Sequence, residues 1–406
     1  MKVALYYPWI YLTSGAERTI LELTRRSRHE WTLFTNHYAP EQTYPGFAQQ
    51  NVVELQRVPV QRSMGAVARA ASKILQQRLP LDGYAALVVV CEGVGDFVVF
   101  RNGRVPLLCI CLTPLRAVFD SEYRKRALRE RGLVKRQLLR VGTGLFRWLD
   151  RLAWARYERV FCISREAERR ALLGGLTRRG QVEILHPGLG FNTAGPSGVF
   201  KHFFLLPGRI MWTKNIELGI AAFQHFCKAH PEFGRFRLVV AGIVDEKSAG
   251  YYENLRRLAS TCPNISFRIF PTDDELAELY RSCYGVLFTS FNEDWGIVPL
   301  EAMAFGKPVI AVNRGGPRET ITHGSNGFLE EPETSAFAAR MADIAAHPEL
   351  AIRVGEAGYQ YSRRFSWEQF AQRIDDEVDR VAPESARCAD FPKATDVVSS
   401  CQNCQN

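Results

Sequence analysis

Short apolar runs separated by amphipathic stretches recur along almost the whole chain, and this alternation limits the fold more than any other feature. Lys2 to Tyr7 reads as a strand, Thr13 to Glu17 as a glycine-containing loop leading into a helix through about Arg28, and Trp31 to Thr35 as a second strand. That is a βαβ opening. Further strands are expected at Val52 to Leu55, Ala85 to Cys91, Pro106 to Leu112, Arg159 to Ile163 and Val182 to Leu185. Apolar strands joined through helices imply a parallel, doubly wound sheet. The tract His186 to Val199, HPGLGFNTAGPSGV, is rich in Gly, Pro and small polar residues and marks a hinge. The alternation then resumes, with strands expected at His202 to Leu206, Phe236 to Ala241, Ile265 to Phe270, Tyr284 to Thr289 and Pro308 to Val312. Helical patterns occupy about Ser335 to Ser362 and Ser366 to Val381, and the chain past Pro383 has the composition of a disordered tail. A length of 406 residues suits two cores better than one. The expected division is therefore an α/β domain over 1–190, a second over 200–365 and a tail over 383–406.

No apolar run approaches the roughly 20 residues that span a bilayer, and MKVALYYPWIYLTSG lacks the apolar core of a signal peptide. The expectation is a cytoplasmic protein. Of the ten cysteines, Cys91, Cys109, Cys111 and Cys162 lie in strand-like segments, where a reduced thiol packs as a small hydrophobe. Cys401 and Cys404 form a CxxC in the tail, with Cys388 nearby and no second such pair to complete a zinc site. The net charge is +9, and it is unevenly placed: Arg116 to Arg179 hold 18 Lys or Arg against 7 Asp or Glu. These charges are mixed with Leu133, Leu138, Leu139, Leu145, Phe146, Trp148, Leu149 and Trp154, as in amphipathic helices that lie on anionic lipid. A solvated basic face over a buried apolar one is the plainer alternative. A nucleic-acid surface is disfavoured because no recognised nucleic-acid module accompanies the charge.

The chemistry concentrates in Phe291 to Glu319, FNEDWGIVPLEAMAFGKPVIAVNRGGPRE. It follows an expected strand, so Asn292, Glu293 and Asp294 fall on a strand-to-helix loop. Gly296 frees the backbone for close approach to a ligand, and Pro299 is tolerated only in the first turn of a helix, which therefore starts near Ile297. The unpaired N–H groups at Ile297 and Val298 suit a phosphate, with Glu293 ahead of the helix and Glu301 one turn inside it. Gly306 closes the helix, Lys307 to Val312 reads as the next strand, and Gly315 and Gly316 open a second loop. Glutamates near a helix start are also ordinary dipole chemistry. In LPGRIMWTKN, Gly208 and Arg209 follow a strand while Lys214 and Asn215 open a helix. The two cations could neutralise a diphosphate, or could be surface residues.

The run Glu293, seven residues, Glu301, with GIVPL between and PVI then GGP after, resembles the signature of retaining family 4 glycosyltransferases, and is most similar to mannosyltransferases acting on lipid-linked oligosaccharides. The resemblance implies the GT-B fold: two facing Rossmann-like domains with the active site in the cleft, and the C-terminal helix at 366–382 packed back on the first domain. It implies that Arg209 and Lys214 grip the nucleotide diphosphate, that Glu293 acts at the sugar and Glu301 on the nucleotide ribose, and that Gly208, Gly296, Ile297 and Val298 line the donor site. Gly15, in Ser14-Gly15-Ala16-Glu17, falls at the family's glycine loop, with Ser14 replacing the first glycine of the usual pair. Thr113 and Arg116 fall at the acceptor side, in a segment where Leu112 replaces a histidine common in relatives. Ser164 matches a family serine and also reads as an N-cap. His186 is expected to shape the hinge.

The implied activity is retaining transfer of a hexose, mannose from GDP-mannose foremost, to a glycan or polyprenyl-linked acceptor at the cytoplasmic membrane face. The departing phosphate would help accept the acceptor's proton. No metal or other cofactor is required beyond the nucleotide-sugar donor, and Asp273 and Asp274 read as a helix cap. A UDP-sugar-dependent glucosyl- or N-acetylglucosaminyltransferase is the nearest alternative. A glycoside hydrolase needs no diphosphate clamp, and a basic nucleic-acid-binding protein is the non-enzyme alternative.

Overall fold

In a computed structural model, the described residues are 1–60, 64–128, 133–177, 180–191 and 195–384. Most of the expected tail, with Cys388, Cys401 and Cys404, lies outside them, as do residues 192–194 of the expected hinge. The chain forms two compact units. One comprises Met1–Phe161, Ala171–Glu183 and the segment from Glu368, and the other Cys162–Arg170 with Ile184–Trp367.

The first sheet contains β1 (Lys2–Tyr6), β2 (Glu30–Thr35), β3 (Asn51–Glu54), β4 (Leu87–Cys91), β5 (Leu107–Cys111), β6 (Arg159–Cys162) and β7 (Val182–Ile184) in the order β3-β2-β1-β4-β5-β6-β7. The second contains β8 (Phe203–Pro207), β9 (Arg237–Gly242), β10 (Ile265–Ile269), β11 (Gly285–Phe288), β12 (Val309–Val312) and β13 (Phe328–Glu330) in the order β10-β9-β8-β11-β12-β13. Every described strand pairing is parallel. Each order reverses direction beside its first strand, as in doubly wound nucleotide-binding sheets. Central strands such as LVVVC, LLCIC and FFLLP are buried at every residue, because a parallel sheet is covered on both faces. In the first unit Phe97, Val98, Phe146, Leu149 and Ala153 pack over Leu87, Val89 and Leu107. In the second, Phe204, Phe223, Phe226, Phe236 and Met341 belong to the core.

Several boundaries differ from the expectation for identifiable reasons. The helical pattern over 335–362 is two helices, Thr334–Ala346 and Pro348–Ser362, because Pro348 has no N–H to continue the first. Thr272, not Asp273 or Asp274, caps the Asp273–Ser282 helix, in a capping box with Glu275. Strand β12 begins at Val309, two residues after Lys307. The Lys307 side chain is buried and donates to the Val199 carbonyl. Strand β13 was not expected; three residues are too few to show a period.

Candidate functional site

In the second unit the site residues sit on loops that leave the C-terminal ends of parallel strands. After β8, Gly208 turns the chain at a φ of +137°, which a side chain would strain, and its N–H donates to the Ala241 carbonyl at 2.9 Å. Arg209 follows, half-buried, with no side-chain hydrogen bond or ion pair among the described residues. The 3₁₀ turn Trp212–Lys214 then leads through Asn215 into the helix Ile216–Ala229. Two bonds fasten this loop to the one after β11: Thr289 Oγ1 donates to the Lys214 carbonyl at 2.9 Å, and the Phe291 N–H to the Thr213 carbonyl at 2.7 Å. They bring Lys214 Nζ to 2.7 Å from Glu293 Oε2, both side chains partly exposed.

The helix Ile297–Ala304 starts beside that pair, with Gly296 as N-cap and no side-chain cap bond. Its N-terminal N–H groups belong to Ile297 and Val298, and Pro299 lies in the first turn. From the other side, the Gly316 N–H donates to the Glu293 carbonyl at 2.8 Å, and a Cβ at Gly316 would lie 2.2 Å from the Trp295 carbonyl oxygen. The GGP segment is thus glycine-rich because backbone packs there on backbone. Glu301 accepts a 2.7 Å hydrogen bond at Oε2 from the hydroxyl of buried Tyr280. Burial first, then the nearby carboxylate, raise the phenol pKa well above its usual range, so Tyr280 remains a donor.

Three supports were not visible in the sequence. Arg170, 1% exposed, donates to Asp294 and to the Asn292 carbonyl at 2.9 Å, on either side of Glu293, while its Nε donates to Glu166 at 3.1 Å. His186 stacks on Trp295, with ring centroids 4.2 Å apart, and its Nδ1 lies 2.9 Å from the Ile163 carbonyl. Glu319 accepts from the N–H groups of Arg165 and Glu166 at 2.9 and 2.8 Å, at the start of the helix Arg165–Gly174. Each joins residues more than a hundred positions apart. The one local sign was Ser164, whose Oγ accepts from the Ala167 N–H at 3.0 Å, as expected of an N-cap.

In the first unit, Gly15 begins the helix Gly15–Arg26, with Ser14 as N-cap and open space where a Gly15 Cβ would lie. Beneath it Glu17 is 1% exposed, held by the Leu12 N–H at 3.2 Å and by Ser14 Oγ. Burial raises its pKa to about 7, partly opposed by the Ser14 bond. Thr113 Oγ1 donates to the Pro114 carbonyl at 3.0 Å, and Arg116 bonds Asp120 at 3.1 Å and lies over the Tyr123 ring. Leu112 is buried, so this position packs in the core.

Residues 198–361 match the family model described as Glycosyl transferases group 1. The chain is 26% identical over 399 residues to alpha-1,3/1,6-mannosyltransferase ALG2 of Mus musculus, covering 89% of this chain and 92% of the relative. Residues 198–361 are thus similar to the group 1 glycosyltransferases. The chain is also 28% identical over 216 residues to D-inositol 3-phosphate glycosyltransferase of Streptomyces avermitilis, covering 49% of this chain and 46% of the relative. Among solved structures, Anabaena Alr3699/HepE in complex with UDP and glucose superposes with a TM-score of 0.70 at 18% identity, covering 94% of this chain and 100% of the other. The fold of the chain is accordingly GT-B, with two Rossmann-like domains.

Proposed function

We propose that the protein is a glycosyltransferase that moves mannose from GDP-mannose, with retention of anomeric configuration, to a glycan or polyprenyl-linked acceptor at a membrane surface. The observation that carries the reading is the Lys214–Glu293 pair, held by two interloop hydrogen bonds at the start of a helix with no side-chain cap. A diphosphate placed at Ile297 and Val298 would compete with Glu293 for Lys214, and Arg209 would supply a second cation. The exchange would free the Glu293 carboxylate for the sugar hydroxyls and the positive charge that develops on the ring. As the glycosidic bond to phosphate breaks, both cations would stabilise the growing charge on the leaving diphosphate. Glu301, oriented by Tyr280, would accept from the ribose hydroxyls. Gly15, Thr113 and Arg116 of the first unit are assigned to the donor sugar and acceptor sides.

The membrane assignment rests on the Leu133–Trp154 helix. Val141, Leu145, Trp148 and Leu152 are 74, 59, 59 and 43% exposed, at spacings that place them along one side, with exposed Arg140 and Arg151 on the same helix. Such a surface suits the interface of an anionic bilayer. No helix among the described residues is long and apolar enough to cross a membrane.

Incubation with GDP-mannose, UDP-glucose and UDP-N-acetylglucosamine, scored by nucleotide release with and without a lipid-linked acceptor, tests the reading. Acceptor-dependent release of GDP is expected. Release of UDP alone would replace the donor assignment, and no release from any donor would remove it.

A further inference from the structure

Outside the candidate donor site, the most concentrated chemistry in the molecule lies inside the first unit, under the Leu133–Trp154 helix. Strands β4 and β5 pair in parallel with Cys91 opposite Cys111, and Cys109 lies two residues before Cys111 and shares its face of the sheet. All three thiols are at most 1% exposed. The 3₁₀ segment Val94–Phe100 brings in Asp96, which is fully buried; its Oδ2 lies 2.8 Å from Cys91 Sγ and its Oδ1 accepts from Tyr157 at 2.6 Å. The ligand atoms of Cys91, Cys109 and Asp96 all lie within 4.8 Å of one another, the sole such group of three found among the described residues. Asp150, 1% exposed, interacts electrostatically with both Cys91 and Asp96, and its Oδ1 is buried with no hydrogen-bond partner among the described residues.

Ordinary core packing does not account for this collection. A buried carboxylate oxygen without a partner is costly, and two carboxyls beside three thiols in an apolar core repel unless protonated. A divalent cation offers a second resolution, because it can replace the protons that these groups otherwise retain.

We propose that Cys91, Cys109 and Asp96 form a structural zinc site, with Asp150, which stands outside that group of three, moving in as the fourth ligand. Two thiolates and carboxylate oxygens are a donor set suited to tetrahedral zinc, with Zn–S near 2.3 Å and Zn–O near 2.0 Å, so ligand atoms stand about 3.5 Å apart. The Cys91–Asp96 pair must therefore open by under about 1 Å as the S–H···O bond gives way to the ion. Tyr157 then holds the other Asp96 oxygen and fixes the ligand's orientation. The site closes over β4, β5, the 3₁₀ segment and the Leu133–Trp154 helix, so its role is to hold these elements together. Each bound zinc displaces the thiol and carboxyl protons of its ligands.

The test is the metal content of the full-length protein, purified under reducing conditions and dialysed, with cobalt substitution as a second measurement. About one zinc per chain is expected, together with thiolate-to-cobalt charge-transfer absorption and affinity that weakens as pH falls. Cys109→Ser and Asp96→Asn should each lose most of the metal, whereas Cys401→Ser/Cys404→Ser and Cys227→Ser should keep it. The wild-type stoichiometry and cobalt spectrum stand even if a core variant fails to fold. Absence of zinc with no thiolate absorption on cobalt addition overturns the proposal, as does loss of the metal in the Cys401→Ser/Cys404→Ser variant.

Discussion

Glu293 and Glu301 share one sequence motif but occupy different electrostatic settings, and this separates their expected effects. Glu293 is paired with a lysine whose charge the proposed diphosphate would claim, whereas Glu301 is pinned by a neutral phenol. A ribose contact is alike in ground and transition states, so Glu301→Gln should raise KM for the donor with a smaller change in kcat. Charge on the sugar ring appears only as the bond breaks, so Glu293→Gln should lower kcat by about a hundredfold, roughly 3 kcal/mol, and change donor affinity less. Steady-state kinetics with donor titration decide this; affinity lost at Glu293 and retained at Glu301 would reverse the roles. Glu17 gives a prediction of another kind. Its folded pKa of about 7 lies above the ordinary glutamate value of 4.5, so the folded state holds the proton more tightly. The associated stability is full below about pH 4.5 and is lost as pH rises to about 7, by at most about 3 kcal/mol. Unfolding midpoints should fall across that window, and less steeply in Glu17→Gln; identical slopes would show that another group is responsible.

At the level of elements, the loop bearing Glu293 is held by a neighbour that its own sequence does not reveal. Arg170 grips Asp294 and the Asn292 carbonyl, and Asn292 itself has a φ of +52°, a left-handed conformation that a non-glycine residue adopts at some cost. Arg170 is thus a positioning residue for the proposed chemistry. Arg170→Met should destabilise the fold by about 3 kcal/mol, because it leaves Asp294 buried without its cation. Arg170→Met/Asp294→Asn should recover the melting temperature but retain a depressed kcat with donor Kd little changed. Normal kcat in the restabilised variant would show that Arg170 serves folding alone. The contrast also explains what could be read from the chain. The helix start at Ile297 was legible because Gly296 and Pro299 signal it locally, and the parallel sheets because their strands are continuously apolar. Arg170, Tyr280 and His186 were not, since their partners lie 122, 21 and about a hundred positions away and no periodicity connects them.

For the molecule as a whole, the basic segment carries a prediction that separates charge from apolar contact. The sequence suggested amphipathic helices with one buried face, and the Leu133–Trp154 helix does pack Phe146, Leu149 and Ala153 inward. It also presents a second apolar side, Val141, Leu145, Trp148 and Leu152, which burial inside the first unit does not explain. If that side enters a bilayer interface, binding has two parts with different responses to salt. Attraction of near-surface Lys and Arg to anionic lipid contributes about 1 kcal/mol per charge and is screened, whereas burial of Leu and Trp is not. Sedimentation with vesicles containing phosphatidylglycerol should therefore retain the protein strongly at low salt and partially at high salt. Lys125→Gln/Arg140→Gln, which removes two exposed charges of the basic segment, one on the helix Ser121–Leu128 and one on Leu133–Trp154, should weaken only the low-salt component. Leu145→Ser/Trp148→Ser should lower binding at both salt concentrations while leaving nucleotide release from the donor unchanged, because neither residue belongs to the proposed donor site. Equal sedimentation with neutral and anionic vesicles at low salt would remove the electrostatic part. Unaltered binding of the Leu145→Ser/Trp148→Ser protein at high salt would show that the exposed stripe does not touch lipid.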